Sequence, residues 1–163
     1  MKILWIVNMV LPRLANHLGI SGGLSGTWMY DASERLAKEE DVELAIACVH
    51  GAEYKKIKLD DTIFYCLPGT GRDTMFYNKK FEDIWKNIYD DFKPDIVHLH
   101  GTEYTHGLAF MRACPNAKTV ISLQGVINRI KDVDLTDLNF WQCLRYRTKR
   151  EWLKFNGMWE MHL

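Results

Sequence analysis

Apolar and polar residues alternate along this chain in two rhythms. Ile3 to Val7 is a continuous apolar run that stops at polar Asn8. Such a run fits a strand buried on both faces, as in a parallel sheet. Comparable runs cover 42–49 (VELAIACV), 62–67 (TIFYCL), 95–100 (DIVHLH) and 119–123 (TVISL). Between them the spacing turns helical. Over 27–40, Met29, Ala32 and Leu36 form an apolar stripe opposite Asp31, Glu34, Arg35 and Lys38. The clearest period covers 78–92, where Phe81, Ile84, Trp85, Ile88, Tyr89 and Phe92 recur at helical spacing. Pro94 ends that helix, because the residue before a proline avoids the helical region. A short helix is predicted over 104–113. A long one is predicted over 136–155, with Leu138, Trp141, Leu144, Thr148, Trp152 and Phe155 on one stripe. A loop bearing Pro12, Gly19, Gly22, Gly23 and Gly26 links the first strand to the first helix. A polar, hairpin-like stretch precedes 62–67, and Pro68, Gly69 and Gly71 mark the loop after it.

The predicted order is β-α-β-β-α-β-α-β-α. Strands alternating with helices imply a parallel sheet with helices on both faces, a Rossmann-like α/β domain. The length of 163 residues fits about one domain. With 47% hydrophobic and 26% charged residues, the composition excludes a disordered tail, a fibre and a disulfide miniprotein. Lys+Arg and Asp+Glu both number 21, so no net charge argues for nucleic acid. The four cysteines, Cys48, Cys66, Cys114 and Cys143, form no C-x-x-C pair and read as buried, reduced thiols. That usage suits a reducing compartment. The first apolar run is too short for a signal peptide or a membrane span, so a cytoplasmic protein is expected.

Ligands of open parallel sheets bind beyond the carboxyl ends of the strands. This rule selects Asn8, then His98-x-His100-Gly101 with Glu103, Tyr104 and His106, then Gln124-Gly125. Gly22 and Gly23 precede a helix, where free N–H groups and the helix dipole suit a phosphate or diphosphate. A flexible glycine loop is the plain alternative, since neither a dinucleotide fingerprint nor a Walker lysine is present. His98 and His100 share one face of their strand. His98 reads as a satisfied buried histidine, and His100, at the strand end, as a group that hydrogen-bonds a sugar hydroxyl or carboxylate. No third ligand stands at a suitable spacing, so no metal is expected. Gln124 can donate and accept but cannot act as a base; it could equally cap a backbone carbonyl. The last helix carries Arg145, Arg147, Lys149, Arg150 and Lys154 among Trp141, Tyr146 and Trp152. This is either a solvated face with cations toward the helix carboxyl end or a peripheral contact with an anionic membrane.

Taken together, MKILWIVN, GISGGLSGTWMYDASERLAKEEDVELAIACV, PDIVHLHGTEYTHGLAF and TVISLQG resemble the N-terminal half of family 4 glycosyltransferases of the GT-B fold. The resemblance spans about residues 1 to 155. It implies a retaining enzyme that moves a sugar from a nucleotide-sugar donor to a glycan or lipid-linked acceptor, as in bacterial surface polysaccharide synthesis. No cofactor beyond the donor substrate is implied. Gly22 and Gly23 would lie against the donor diphosphate, and Asn8, His100, Glu103, Tyr104 and Gln124 would line the acceptor side. Gln124 stands where many relatives carry a histidine that contacts the sugar. The family's second domain, which binds the nucleotide and carries an E-x7-E glutamate pair, has no counterpart in these residues. The expectation is therefore a truncated acceptor-side domain over 1–163, inactive alone. Two alternatives remain: a non-catalytic, flavodoxin-like module for a phosphate-bearing ligand, and part of a GT-B sugar-nucleotide epimerase.

Overall fold

A computed structural model describes residues 1–20, 27–102, 104–123 and 139–154. The chain divides into two units, Met1–Gln124 and Gly125–Leu163. In the first, strands β1 (Lys2–Ile6), β2 (Glu43–Val49), β3 (Lys55–Leu59), β4 (Thr62–Leu67), β5 (Ile96–His100) and β6 (Thr119–Ser122) form one sheet. Their order is β3-β4-β2-β1-β5-β6. All neighbours are parallel except β3 and β4. Among the described residues the parallel strands, counted along the chain, lie in the order 3-2-1-4-5. This is the Rossmann order, not the 2-1-3-4-5 order of flavodoxins, and its switch point lies between β1 and β5.

Successive strand residues point to opposite faces, and each face is covered by helices. On one face Leu4, Ile6, Ala45, Tyr65, Val97 and Leu99 form a core with α3 (Lys80–Phe92) and α4 (His106–Ala113). On the other, Trp5, Val7, Leu44, Ile46 and Phe64 pack with Leu14 of α1 (Pro12–His17) and Met29 of α2 (Thr27–Leu36). The stripe read on 78–92 is the one that packs: Phe81, Trp85, Ile88 and Phe92 are buried. That helix ends with Lys93 in the left-handed conformation (φ 53°), its N–H donating to the Tyr89 carbonyl at 2.8 Å.

Four expectations are corrected. The loop after β1 contains a helix, α1, which Pro12 opens by presetting its first φ. The polar stretch before β4 is itself a strand, β3. Its sequence KKIKL half-buries only Ile57 and Leu59, as an edge strand requires, and it makes the sheet mixed rather than purely parallel. The helix beginning at Thr27 stops at Leu36, short of 40. The long helix over 136–155 is two short ones within its described part, α5 (Phe140–Arg145) and α6 (Lys149–Lys154). The Asn139 side chain accepts from the Gln142 N–H at 3.0 Å and the Gln142 amide oxygen accepts from the Asn139 N–H at 2.8 Å, a reciprocal cap that starts α5 afresh. Among the described residues no helix is long and apolar enough to cross a membrane.

Candidate functional site

Strand register decides which side chains meet at the switch point. Ile6 of β1 pairs with Ala47 of β2 and with Leu99 of β5, so the next rank brings Cys48, Val7 and His100 side by side. The same rank continues through His100↔Ser122 on one flank, and Cys48↔Cys66 and Cys66↔Lys55 on the other. These side chains share the face covered by α1 and α2. Asn8 follows immediately, and Gly101 turns the chain away from β5 with φ 83°, a conformation that glycine adopts without strain.

His100 is 1% exposed. Its ring lies 4.3 Å from the Trp5 ring, 5.7 Å from Trp28 and 3.9 Å from His98. Neither ring nitrogen has a hydrogen-bond partner. Burial, together with the neighbouring His98 and His106, pushes its pKa down to about 3. The imidazole is therefore neutral at physiological pH, with one N–H to donate and one nitrogen to accept. The Asn8 amide oxygen is likewise buried without a partner. Two unpartnered polar side chains thus stand at the carboxyl ends of the two strands that flank the switch point. Each unmade hydrogen bond costs about 1–3 kcal/mol.

The burial of the two strand histidines runs against their order along the strand. His98 is only half-buried, and its Nε2 meets the Ser122 hydroxyl at 2.7 Å. Burial lowers its pKa. His100, at the strand end, is the enclosed one. The reason lies in the neighbours: Trp5 of β1 and Trp28 of α2 close over His100, whereas His98, also beside Trp5, has the exposed Val120 of the edge strand on its other side. His106 opens α4 and its Nε2 lies 3.3 Å from the His100 carbonyl.

The opposite face of the same strand ends carries an apolar cavity of about 300 Å³ between β5, β6 and α4. Leu99, Gly101, Tyr104, Leu108, Met111 and Ile121 line it, and Tyr104 is exposed at its wall. Thr105 fixes the rim: its N–H and its hydroxyl both donate to the Thr74 carbonyl at 2.8 Å, joining the loop after β5 to the loop after β4. Gly107 lets α4 approach β5, because a Cβ there would stand 2.2 Å from Leu99 Cδ1.

Comparison with family models, with curated proteins and with solved structures finds no match to this chain.

The sequence-read site thus divides in three. Asn8 and His100 each stand at the carboxyl end of a strand flanking the switch point, and Tyr104 lies on the cavity behind His100. Gly22, Gly23, Glu103 and Gln124 lie outside the described residues. Arg145, Arg147, Lys149 and Arg150 belong to the second unit, on or beside α5 and α6. There Trp141 is 75% and Leu153 84% exposed, and the Arg147 guanidinium stacks 4.8 Å from the Trp152 ring centre. Among the described residues no group of three His, Cys, Asp or Glu side chains is placed to hold a metal. Sequence reasoning missed Trp5 and Trp28 as the walls around His100. Trp5 shares strand parity with Val7, and that alone could have marked it.

Proposed function

We propose that this chain is the acceptor-side half of a retaining GT-B glycosyltransferase, moving a sugar from a nucleotide-sugar to a glycan or lipid-linked acceptor of a surface polysaccharide. The observation that carries the reading is the pair of buried, unpartnered polar groups, Asn8 Oδ1 and the His100 ring, at the switch point of a 3-2-1-4-5 sheet. A neutral imidazole matches a hydroxyl, which both donates and accepts, better than it matches a phosphate, which wants a cation or several N–H donors. A hydroxyl-rich acceptor carries the donors and acceptors that these groups lack. The resemblance in the glycine segment before α2 would put a donor diphosphate on the same side of the sheet.

On this reading the chain supplies one wall of the cleft. Charge developing on the departing diphosphate must be stabilised from the other wall, where a nucleotide-binding half would stand. Residues 1–163 alone are therefore expected to bind acceptor without transferring sugar. Basic and exposed aromatic side chains of α5 and α6 favour peripheral contact with an anionic membrane surface, where a lipid-linked acceptor would be presented.

Imidazole nitrogen NMR on the full chain tests the reading. Oligosaccharide acceptors should shift the His100 ring signals, and Asn8→Leu should abolish the shift. Shifts with inorganic phosphate alone and none with any oligosaccharide would overturn it, as would measurable turnover of nucleotide-sugar by residues 1–163 alone.

A further inference from the structure

The rank of side chains that ends at His100 also sets two cysteines directly opposite one another. Cys48 on β2 pairs in register with Cys66 on β4, and both face the α1–α2 side. Neighbouring strands run about 4.8 Å apart, which falls inside the Cα separation of about 4.4–6.8 Å that a disulfide spans. The two thiols are 2% and 1% exposed and reduced.

Their surroundings differ. Cys66 forms part of the wall of a cavity of about 230 Å³, beside Leu18, Ile20, His50, Glu53 and Lys55. Cys48 does not line it. Lys55 is the register partner of Cys66 on its other side, and its ammonium also pairs with Glu53 at 3.4 Å. The cavity is ample for a molecule of two oxygen atoms and lies at the carboxyl edge of the sheet, beside Cys66.

We propose that Cys48 and Cys66 form a peroxide-responsive thiol pair, in which Cys66 is the attacking sulfur and Cys48 resolves it to a disulfide bridging β2 and β4. In the first step the Cys66 thiolate attacks one oxygen of hydrogen peroxide. A sulfur–oxygen bond forms, the oxygen–oxygen bond breaks, and hydroxide leaves, taking up the proton that Cys66 lost. Cys66 is then a sulfenic acid. In the second step the Cys48 sulfur attacks the Cys66 sulfur. The disulfide forms, the sulfur–oxygen bond breaks, and the departing hydroxide takes the Cys48 proton as a second water. Two thiols are oxidised by two electrons and one hydrogen peroxide is reduced to two waters.

The division of roles follows the electrostatics. The Cys48 S–H stabilises a thiolate on Cys66, and Lys55 adds a smaller effect, so Cys66 ionises below the usual thiol range although burial opposes it. The same contact, with burial, holds Cys48 protonated well above that range. The thiolate is the nucleophile, and Cys66, not Cys48, is the residue at the cavity wall.

The test uses the full, reduced chain. It is treated with a few equivalents of hydrogen peroxide, alkylated and digested. The expected product is a linked peptide pair holding Cys48 and Cys66, about 2 Da lighter than the two thiol peptides together and restored by dithiothreitol. The alkylatable thiols fall from four to two. Cys48→Ala should leave a Cys66 sulfenic acid that dimedone captures, while Cys66→Ala should leave Cys48 unoxidised. Wild-type protein alone decides the matter should either variant not fold. Oxidation confined to Cys114 or Cys143, bridges between chains only, or a Cys48–Cys66 bridge appearing only in urea would overturn the proposal.

Discussion

His100 makes the pH dependence of stability a sharp measurement. Its pKa is about 3 in the folded chain, against 6.5 for an ordinary histidine. A histidine with a depressed folded pKa binds fewer protons folded than unfolded, so stability rises with pH between the two values. The contribution is complete above about pH 6.5 and is lost as pH falls toward about 3. At about pH 5 the unfolded imidazole is about thirty times more protonated than neutral, while the folded one remains neutral. RT times the logarithm of that ratio is about 2 kcal/mol. The figure is insensitive to the folded value, because any folded pKa below about 4 gives the same result at about pH 5. Urea unfolding of the wild-type chain at about pH 7.5 and about pH 5 measures the difference in stability. His100→Phe keeps a ring between Trp5 and Trp28 and removes the titration. Its own difference should be smaller by about 2 kcal/mol, the slope falling by about one proton. An unchanged difference in the variant would show that His100 is not held neutral by its surroundings, and would remove the argument that it meets a hydroxyl.

Three further outcomes follow from particular contacts. Gly107→Ala should destabilise by about 0.5–2 kcal/mol, overpacking against Leu99 exceeding the gain in helix propensity. Combined with Leu99→Ala its cost should disappear, and strictly additive costs in urea unfolding would refute the close approach of α4 to β5. Lys93→Gly should raise the urea midpoint, stabilising by about 0.5–1 kcal/mol, since the residue ends α3 in the left-handed region. Changing Arg145, Arg147 and Lys149 to Glu should weaken binding to vesicles containing phosphatidylserine by more than about tenfold, at about 1 kcal/mol per cation; unchanged sedimentation with vesicles would remove the membrane role.

Much of the first unit was legible because its elements carry their own periodicity. The run Ile3 to Val7 fits a strand sealed on both faces and β1 covers Lys2–Ile6, and the stripe from Phe81 to Phe92 fits a helix with one buried face. Both are local patterns, and burial reinforced them. Edge strand β3 was legible only as a hairpin-like stretch before β4, because a strand with one wet face and three lysines shows little apolar signal. The break between α5 and α6 was masked by a stripe that continues in helical register across it.

At the candidate site the sequence determined which residues lie at strand ends: Asn8, His100 and Gln124 each follow or close an apolar run. Their neighbours across the sheet were beyond its reach. Register between β1, β2, β4 and β5 joins segments up to 93 residues apart, such as Ile3 and Ile96, and depends on how both helical layers fit the sheet at once. That fit placed Trp5 and Trp28 around His100, left His98 to bond Ser122, and set Cys48 against Cys66. Periodicity tells a side chain which face to take; only packing between distant segments decides what waits there.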